Sequence, residues 1–331
     1  MDDTILTLDE VEALARDTLA RAGASDAQAA SVARSTRLAE RDGIRSHGLM
    51  YVPIYAEHLR CGKVLGDAEP SAARPRPGAV AVDAAHGFAH PAIDAGMPLL
   101  AEAARENGVA AMTVRRSYNC GVLGHHAERL AEQGLVALCF THAPASMAPP
   151  GGARPVVGTN PFALSVPGEG DVAFTIDQSA SAIAKSEIVL RARANEPIEP
   201  GWALDAAGQP TTDANEALQG TMVPAGGAKG FNVGLLVEVL ASCLAGAVPS
   251  VEASPFSGPK GGPPATGQCF LAFDPAAFAD GFGKRVEALV ATIENNGDAR
   301  LPNSRKTARR ASNERDGVRV DAALLERIRA A

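Results

Sequence analysis

The chain has 331 residues, of which 46% are hydrophobic and 21% are charged, and its formal net charge is −7. This length suits one large domain or two intertwined domains, and no apolar run approaches the roughly 18 residues that a membrane-spanning helix needs. The acidic balance argues against nucleic-acid binding. The N-terminus is acidic and amphipathic, unlike a signal peptide, so we expect a cytoplasmic protein that binds neither nucleic acid nor membrane.

The cysteines indicate neither a metal site nor a disulfide framework. Five cysteines lie far apart in the sequence and form no CxxC pair. Zinc sites and small disulfide-stabilised domains both need closer or paired spacing. We therefore predict no bound metal and five buried free thiols, at Cys61, Cys120, Cys139, Cys243 and Cys269.

The first sixty residues predict three helices. Apolar residues recur at helical spacing from Ile5 to Leu19, and Thr7 stands three residues before Glu10, which is the spacing of a capping box. A second helix is predicted from about residue 25 to residue 41, and a third from about 50 to 61. The N-terminal region is therefore expected to be helical.

The middle of the chain alternates between strand and helix patterns. Strands are predicted at 79–82, 109–114 and 135–141, and helices at 91–106 and 123–133. This alternation favours an α/β layer architecture. After residue 144 the stretch PASMAPPGGARPVVGTNPF predicts a long ordered loop, and loops of that length inside a domain are often functional.

The C-terminal half predicts further alternation. A strand at 172–176 ends at Asp177 and is followed by a helix near 180–194. The remaining predicted elements are a long apolar helix at 229–245, a strand at 268–273 and an amphipathic helix at 278–295.

Motifs for nucleotide binding are incomplete. No GxGxxG follows a strand, and Gly281-Phe282-Gly283 lacks the third glycine, so a Rossmann fold is not indicated. The segment GGAKG at 226–230 lacks the spacing of a phosphate loop, but glycines and a lysine before a helix can bind phosphate; a simple glycine turn is the alternative. The basic run RKTARR at 305–310 is either a solvated tail or a contact for a cofactor phosphate.

The pair Ser46-His47 is the strongest candidate for chemistry. A lone histidine is usually a core residue, and Ser46 could simply cap the third helix. Combined with Asp177 at a strand end, however, the pair offers a histidine for proton transfer with a hydroxyl or carboxylate to orient it. The sequence by itself does not bring these residues together.

A series of motifs runs nearly end to end along the chain: SHG at 46–48, Tyr55, GVAAMTVRRS at 108–117, GTNP at 158–161, FTIDQSAS at 174–181, GWALDAAGQPTTD at 201–213, GGAKG at 226–230 and RLPNSR at 300–305. In this order the motifs resemble the type-2 malate/L-lactate dehydrogenase family. Its members include sulfolactate and ureidoglycolate dehydrogenases, diketogulonate reductase and the Δ1-piperideine-2-carboxylate reductases.

The resemblance implies an α/β fold of the family's own kind, a non-Rossmann NAD(P)-binding fold with a helical N-terminal region. It also implies a homodimer that uses NADH or NADPH and acts on a small-molecule substrate. Residues 117–230 would form the cofactor-binding domain, and residues 1–116 with 231–331 a larger discontinuous domain that makes the dimer contacts. The site would lie between the domains, near the subunit interface.

The resemblance also implies residue roles. His47 matches the family's proton donor, with Ser46 and Asp177 as relay or orienting partners. Positions for the substrate fall on Tyr51, Tyr55, Asn119 and Thr159. Positions for the cofactor fall on Thr175, Ile176, Asp177, Ser179, Lys229, Gly230, Asn303 and Arg305.

Two positions depart from the family pattern. Tyr51 stands where many members have an arginine suited to a substrate carboxylate, and Asn119 stands where some members use a second histidine. Tyrosine cannot make the bidentate charged contact of arginine. The candidates to replace it are Arg45, Arg116, His125 and Lys185.

The sequence thus predicts an oxidoreductase that transfers hydride between NAD(P)H and C2 of a small 2-oxo or 2-hydroxy acid, similar to malate, lactate or sulfolactate. In this reaction, His47 as an imidazolium would neutralise the charge that develops on the substrate oxygen. One alternative is a reductase of cyclic imines such as Δ1-piperideine- or Δ1-pyrroline-2-carboxylate. Another is an inactive nucleotide-binding relative, which the changes at Tyr51 and Asn119 would permit.

Overall fold

The computed structural model describes residues 3–331. Its strands are β1 (Thr4–Leu6), β2 (Ser71–Arg76), β3 (Ala79–Asp83), β4 (Val109–Ser117), β5 (Val136–Thr141), β6 (Phe162–Pro167), β7 (Val172–Gln178), β8 (Ala203–Leu204), β9 (Pro210–Thr211), β10 (Thr221–Met222), β11 (Thr266–Phe273) and β12 (Val318–Val320). Its α-helices are α1 (Leu8–Arg21), α2 (Asp26–Arg41), α3 (Val52–Arg60), α4 (Ala89–Asn107), α5 (Leu123–Ala131), α6 (Lys185–Ala194), α7 (Ala214–Gln219), α8 (Ala228–Val237), α9 (Phe282–Glu294), α10 (Ser304–Asp316) and α11 (Ala322–Ala330). Short 3₁₀ helices cover Arg45–His47, Leu49–Tyr51 and Pro275–Ala277, and a π-helical segment covers Glu238–Cys243.

The predicted helical N-terminus is confirmed. The Thr7 side chain accepts a hydrogen bond from the Glu10 amide while the Glu10 carboxylate accepts one from the Thr7 amide, which completes the capping box of α1. Ser25 caps α2 in the simpler way, through the amide of Gln28. The two chain ends meet where β1 pairs antiparallel with β12, so the C-terminal α11 packs on the N-terminal helices.

A seven-stranded sheet in the order β2-β3-β4-β11-β5-β6-β7 forms the centre of the molecule. Only the β3–β4 pair is parallel within this sheet, and its other neighbours are antiparallel. Helices α4 and α5 cover one face through residues such as Ile93, Leu100 and Leu130. The architecture is therefore α/β without the parallel, doubly wound sheet of a Rossmann fold, as predicted.

The other face of the sheet is covered by the helix predicted at 229–245. In the structure this helix is α8 followed by the π-helical segment, and Val237 and Ala241 pack against Phe140 and Cys269 of the sheet. Because apolar helices cover both faces, the central strands are buried on both sides.

A smaller lobe contains α6, α7 and the three-stranded sheet β10-β8-β9 around its own apolar cluster. This lobe lies within the predicted cofactor-binding domain, residues 117–230. The central sheet nevertheless crosses that predicted boundary, because β5 pairs with β11 and β11 pairs with β4. The domain limits at 116 and 230 remain a prediction.

The GTNP motif has a structural role through Asn160. Its side-chain oxygen accepts a hydrogen bond from the Ala143 amide at 3.1 Å, and its amide nitrogen donates to Gly234 O and Glu238 Oε2, each at 2.9 Å. Glu238 in turn accepts from the backbone and hydroxyl of Ser250. The long loop after residue 144 is therefore fixed to the start of the π-helical segment by a buried polar network.

Some sequence-based expectations were wrong. Cys61 and Cys243 are exposed, although all five thiols are free as predicted. Ser46 does not cap the third helix, which starts at Val52 with a proline in its first turn. The run at 305–310 is not a solvated tail, since it lies in α10 and Lys306 is buried.

Within residues 3–331 no helix combines the length and the hydropathy needed to cross a bilayer.

Three buried histidines, His90, His125 and His126, line a cavity of about 260 Å³ between α2, α4 and α5. Burial lowers the pKa of His90 to about 3 and that of His126 to about 4. Both ring nitrogens of His90, and Nδ1 of His126, lack a hydrogen-bond partner within the described residues. Both side chains are therefore neutral in the folded protein at neutral pH.

Because the pKa values of His90 and His126 are lowered in the folded protein, we expect acid to destabilise the fold. Between the ordinary histidine pKa of 6.5 and the lowered values, the unfolded chain binds protons that the folded chain does not, so stability falls as the pH falls. Each histidine contributes up to about 1.4 kcal/mol per pH unit in that window. Urea unfolding at several pH values would measure the slope. His90→Gln should reduce this slope, and equal slopes for variant and wild type would contradict the assignment.

Candidate active site

The Ser46-His47 pair lies on a 3₁₀ turn between α2 and α3, with Ser46 Oγ 3.0 Å from His47 Nδ1. Glu40 at the end of α2 fixes this turn because its carboxylate accepts a hydrogen bond from the Leu49 amide at 2.8 Å. A Cβ on Gly48 would lie 2.1 Å from the same carboxylate. The glycine of the SHG motif is therefore required by the close approach of Glu40.

His47 is neutral in the free protein. It keeps partial solvent access, but burial of the imidazole and the proximity of His125 lower its pKa to about 4. A neutral imidazole can accept a proton from an alcohol. A bound anion would favour the imidazolium form instead, because an opposite charge raises the pKa of a histidine.

His125 belongs to a buried charged network that sequence reasoning did not identify. Its Nε2–H donates to Asp42 Oδ2 at 2.8 Å, so neutral His125 keeps its lone pair on Nδ1. Burial by itself would raise the pKa of the Asp42 carboxyl, but hydrogen bonds from His125 and Arg310 hold this pKa well below its usual range. Asp42 is therefore an anion that joins α2, α5 and α10.

Glu128 is the second acid of this network. It accepts from Lys306 Nζ at 2.7 Å and from Arg310 Nη2 at 3.1 Å. Asp42, His125 and Glu128 place ligand atoms within 4.8 Å of one another, as a metal site would. The ammonium of Lys306 and the guanidinium of Arg310 already supply cationic partners to both carboxylates, so a metal ion would have to displace them.

A sequence signal for this network exists in retrospect. Lys306 and Arg310 are four residues apart, which places both on one face of a helix, and His125 and Glu128 are three apart on another helix. Nothing in the sequence pairs these two helices with each other or with Asp42.

Asp177 lies near this network but not beside Ser46. Its Oδ2 accepts a hydrogen bond from the Gly124 amide at 2.9 Å, at the start of α5, and burial raises its pKa. A Cβ on Gly124 would lie 2.7 Å from the same oxygen, so this approach requires glycine. Within residues 3–331 no hydrogen bond joins Asp177 to Ser46 or His47. Its predicted relay role therefore remains a prediction.

The structure brings together three of the residues predicted to bind substrate. The Tyr55 hydroxyl donates to Asn119 Oδ1 at 2.9 Å, and the rings of Tyr51 and Tyr55 lie 4.7 Å apart. Burial raises the pKa of Tyr51 to about 12, so its hydroxyl is neutral. Position 51 therefore presents an uncharged aromatic side chain, and a substrate carboxylate must find its cation elsewhere.

The predicted cofactor positions around Lys229 and the predicted substrate position Thr159 form one neighbourhood. The Ala180 amide donates to the Thr159 carbonyl, and the Ala225 amide donates to the Ala180 carbonyl, both at 2.9 Å. These bonds place GTNP, the segment after β7 and the GGAKG turn side by side. Ser179 lies in that middle segment, with its hydroxyl 2.9 Å from that of Ser181.

The GGAKG turn provides the start of α8. Gly226 and Gly227 both have a φ of 66°, and a Cβ on Gly230 would lie 2.1 Å from the Ala225 carbonyl oxygen. The first amides of a helix have no intrahelical acceptor and attract anions. Lys229 is exposed and forms no ion pair within residues 3–331.

Two other predicted cofactor positions on β7 differ in their surroundings. The Thr175 side chain is 3% exposed, and its hydroxyl lies 2.5 Å from that of Ser165 on β6, so it is engaged within the sheet. Ile176 is partly exposed on the same edge strand. Their contact with a cofactor remains a prediction.

The PNSR segment lies at the start of α10. Asn303 precedes the helix with a φ of 63°, and its Nδ2 is buried without a hydrogen-bond partner in the part of the chain that the structure describes. Arg305 is exposed. Lys306, one residue on, bonds to Glu128 of α5, so the segment is held near the Gly124–Asp177 contact.

Comparison with known proteins agrees with these features. The model of the malate/L-lactate dehydrogenase family matches residues 6–329. The chain is 41% identical to the (2R)-3-sulfolactate dehydrogenase (NADP(+)) of Chromohalobacter salexigens, over 98% of this chain and 97% of that protein. It is also 41% identical to a Δ1-pyrroline-2-carboxylate reductase of Pseudomonas fluorescens, with the same coverage.

A solved structure supports the fold. The Δ1-piperideine-2-carboxylate reductase from Pseudomonas syringae superposes with a TM-score of 0.93 at 33% identity, covering 99% of both chains. The fold predicted from the resemblance is confirmed. The chain belongs to the malate/L-lactate dehydrogenase family.

Proposed function

We propose that this protein is an NADH- or NADPH-dependent oxidoreductase that transfers hydride between the nicotinamide and C2 of a small 2-oxo or 2-hydroxy acid. His47 is its acid/base. One observation supports this proposal above the others. His47 is neutral, its ring is held by a hydrogen bond with Ser46, and it lies beside the buried Asp42–His125 pair. The similarity to an NADP(+)-dependent sulfolactate dehydrogenase supports the cofactor and the type of acid.

The residues present suit a dinucleotide. The open amides at the start of α8 and the exposed Lys229 suit phosphate. The buried Asn303 Nδ2 has no acceptor within residues 3–331, and a ligand could supply one. When bound, the nicotinamide supplies the hydride. These groups would hold the cofactor mainly in the predicted 117–230 domain, with α10 reaching it from the C-terminal part.

His47 accepts or donates the proton of the reaction, depending on its direction. In the oxidation direction its neutral imidazole accepts the proton of the substrate hydroxyl. In the reduction direction a bound anionic substrate raises its pKa, so that His47 takes up a proton and gives it to the developing oxyanion. The hydrogen bond to Ser46 fixes the ring orientation in both directions.

Reduction of a cyclic imine is the second candidate. Several relatives are Δ1-pyrroline-2-carboxylate reductases at 36–41% identity. The same hydride and proton would then go to carbon and nitrogen of a C=N bond. Oxidation of NADH and NADPH with a panel of 2-oxo acids and cyclic imines separates the two reactions, and a protein without turnover on any of them would be the inactive nucleotide-binding relative.

We also propose that the protein acts as a homodimer in the cytoplasm. A row of exposed apolar side chains follows α8 and the π-helical segment: Leu235, Leu236, Val239 and Leu244 are 45–61% exposed. A contiguous apolar surface of this kind usually marks an interface, and it suits a second copy of the chain.

The proposed cytoplasmic location is supported by the five free thiols, which suit a reducing compartment. Cell fractionation would test it.

The first prediction from the proposed function concerns His47. His47→Ala should lower kcat by about 100-fold or more, the usual scale for a general acid, with little change in dinucleotide Kd or melting temperature. Steady-state kinetics on the best substrate and fluorescence titration with NADPH would measure both. Turnover within a few-fold of wild type would show that another residue moves the proton.

The second prediction concerns Lys229. Lys229→Ala should raise the Kd for the dinucleotide by about 10-fold or more, because one charge-assisted contact is lost. Isothermal titration with NADH and NADPH would measure it. Lys284 is a matched control, since it is an exposed lysine in the first turn of α9 that also follows a left-handed glycine. Equal affinities for Lys229→Ala and Lys284→Ala would show that Lys229 is a solvated surface residue that does not contact the cofactor.

The third prediction concerns the apolar row. Leu236→Glu with Val239→Glu should convert a dimer to a monomer, because two charges would be buried at the interface without partners. Sedimentation velocity would give the mass. Leu289→Glu on α9, where the side chain is 52% exposed, is the control that should stay dimeric. A monomeric wild type would contradict the proposal.

A further inference from the structure

We propose that Arg45 and Arg309 bind the acidic groups of the substrate in place of the arginine that Tyr51 replaces, and that this pair favours substrates with two acidic groups. The inference rests on the proposed function and concerns the specificity of the same site. We compare the surroundings of the four candidates to replace the family arginine, and then those of Arg309.

Two of the four candidates to replace the family arginine already bind a carboxylate, and a third lies in the smaller lobe. Arg116 makes three hydrogen bonds of 2.7–3.1 Å to Asp83, so its guanidinium is engaged at the C-terminal ends of β3 and β4. Among the other candidates, His125 donates to Asp42, and Lys185 begins α6 in the smaller lobe, where α6 packs on α7. None of these three is free beside His47.

Arg45 is free and adjacent. It is exposed on the same 3₁₀ turn as Ser46 and His47, and no carboxylate within residues 3–331 lies within 4.0 Å of it. The nearby acid is Glu40, whose oxygen is oriented toward the Leu49 amide. The five N–H donors of Arg45 are therefore available to a planar oxyanion.

Arg309 brings a second guanidinium to the same segment. Its Cδ lies 2.9 Å, and its Nη1 3.3 Å, from the position that a Cβ on Gly43 would occupy. Gly43 has a φ of 72°, so glycine both permits the backbone and leaves room for the arginine. Arg309 is exposed and, like Arg45, has no ion-pair partner within the described residues.

Helix α10 holds Arg309 in this place. The Asn313 side chain donates to the carbonyls of Glu40 and Arg41 at 3.0 Å, and Arg310 binds Asp42. Lys306, three residues before Arg309, also pairs with Asp42 at 3.2 Å, so contacts on both sides of Arg309 fix the helix against the end of α2. The segment that leads into Ser46-His47 therefore carries two unpaired positive charges.

Two unpaired cations on one segment repel each other, and an anion with two acidic groups would relieve this repulsion. A 2-oxo acid with a second carboxylate or a sulfonate could place one acidic group on each guanidinium. A cyclic imine carboxylate or pyruvate carries one acidic group and can satisfy only one of them. A pair of unpaired guanidinium groups next to His47 would therefore favour dianionic 2-oxo acids.

Kinetics of Arg45→Gln and Arg309→Gln would test this inference. We would compare oxaloacetate and sulfopyruvate with pyruvate and Δ1-piperideine-2-carboxylate, using both NADH and NADPH. Each variant should raise KM for the dianions by about 10-fold or more, with a smaller effect on at least one monoanion, kcat within a few-fold and unchanged dinucleotide Kd. Arg76→Gln is the control, because Arg76 is exposed on β2 and bonds only to the Pro75 carbonyl.

Rescue by a second change sharpens the test. Tyr51→Arg in the Arg45→Gln protein should restore much of the lost affinity, since it returns a guanidinium to the position that the family pattern uses. Unchanged KM values for dianions in a folded Arg45→Gln protein would overturn the inference while leaving the proposed function intact. Equal losses for dianions and monoanions would overturn the preference for two acidic groups. A wild type without turnover on any acid or imine would instead refute the proposed function.

Discussion

The buried carboxylate of Asp42 is the constraint on which the arrangement of the site depends. It ends α2, accepts from His125 of α5, and pairs with Lys306 and Arg310 of α10. A buried carboxylate without these partners would be strongly destabilising. These contacts fix the relative positions of α2, α5 and α10. They thereby also position the turn that follows Asp42, the start of α5 and the segment before α10.

This constraint also decides the state of the histidines. Asp42 accepts from Nε2 of His125 and is paired with Arg41, Lys306 and Arg310, so its charge is engaged within the network. Burial then dominates, and His47 stays neutral until an anion arrives. In the proposed reaction, proton uptake by His47 would thereby be coupled to substrate binding, and the free site holds no positive charge on the imidazole.

The sequence predicted what local spacing determines and missed what long-range pairing determines. The Thr7–Glu10 capping box involves residues three apart, so the residues themselves specify it. Lys306 lies among basic neighbours and gave no sign of burial, because its partner Glu128 is 178 residues earlier in the chain. The family resemblance supplied Ser46, His47 and the tyrosines, but the acidic partners inside the network are visible only once α10 is placed on α5.

The pairing of charges separates structural cations from those available to ligands. Where a guanidinium or ammonium meets a buried carboxylate, as Lys306 and Arg310 do, its charge is consumed in holding helices together. Four of the exposed cations that form no ion pair within residues 3–331 lie near the predicted site residues: Lys229 and Arg305 at the starts of α8 and α10, and Arg45 and Arg309 at the turn before His47. A dehydrogenase of this family must bind two anions, a dinucleotide and an organic acid. Under the proposed function, the group near the backbone amides that suit phosphate would serve the dinucleotide, and the group beside His47 would serve the organic acid.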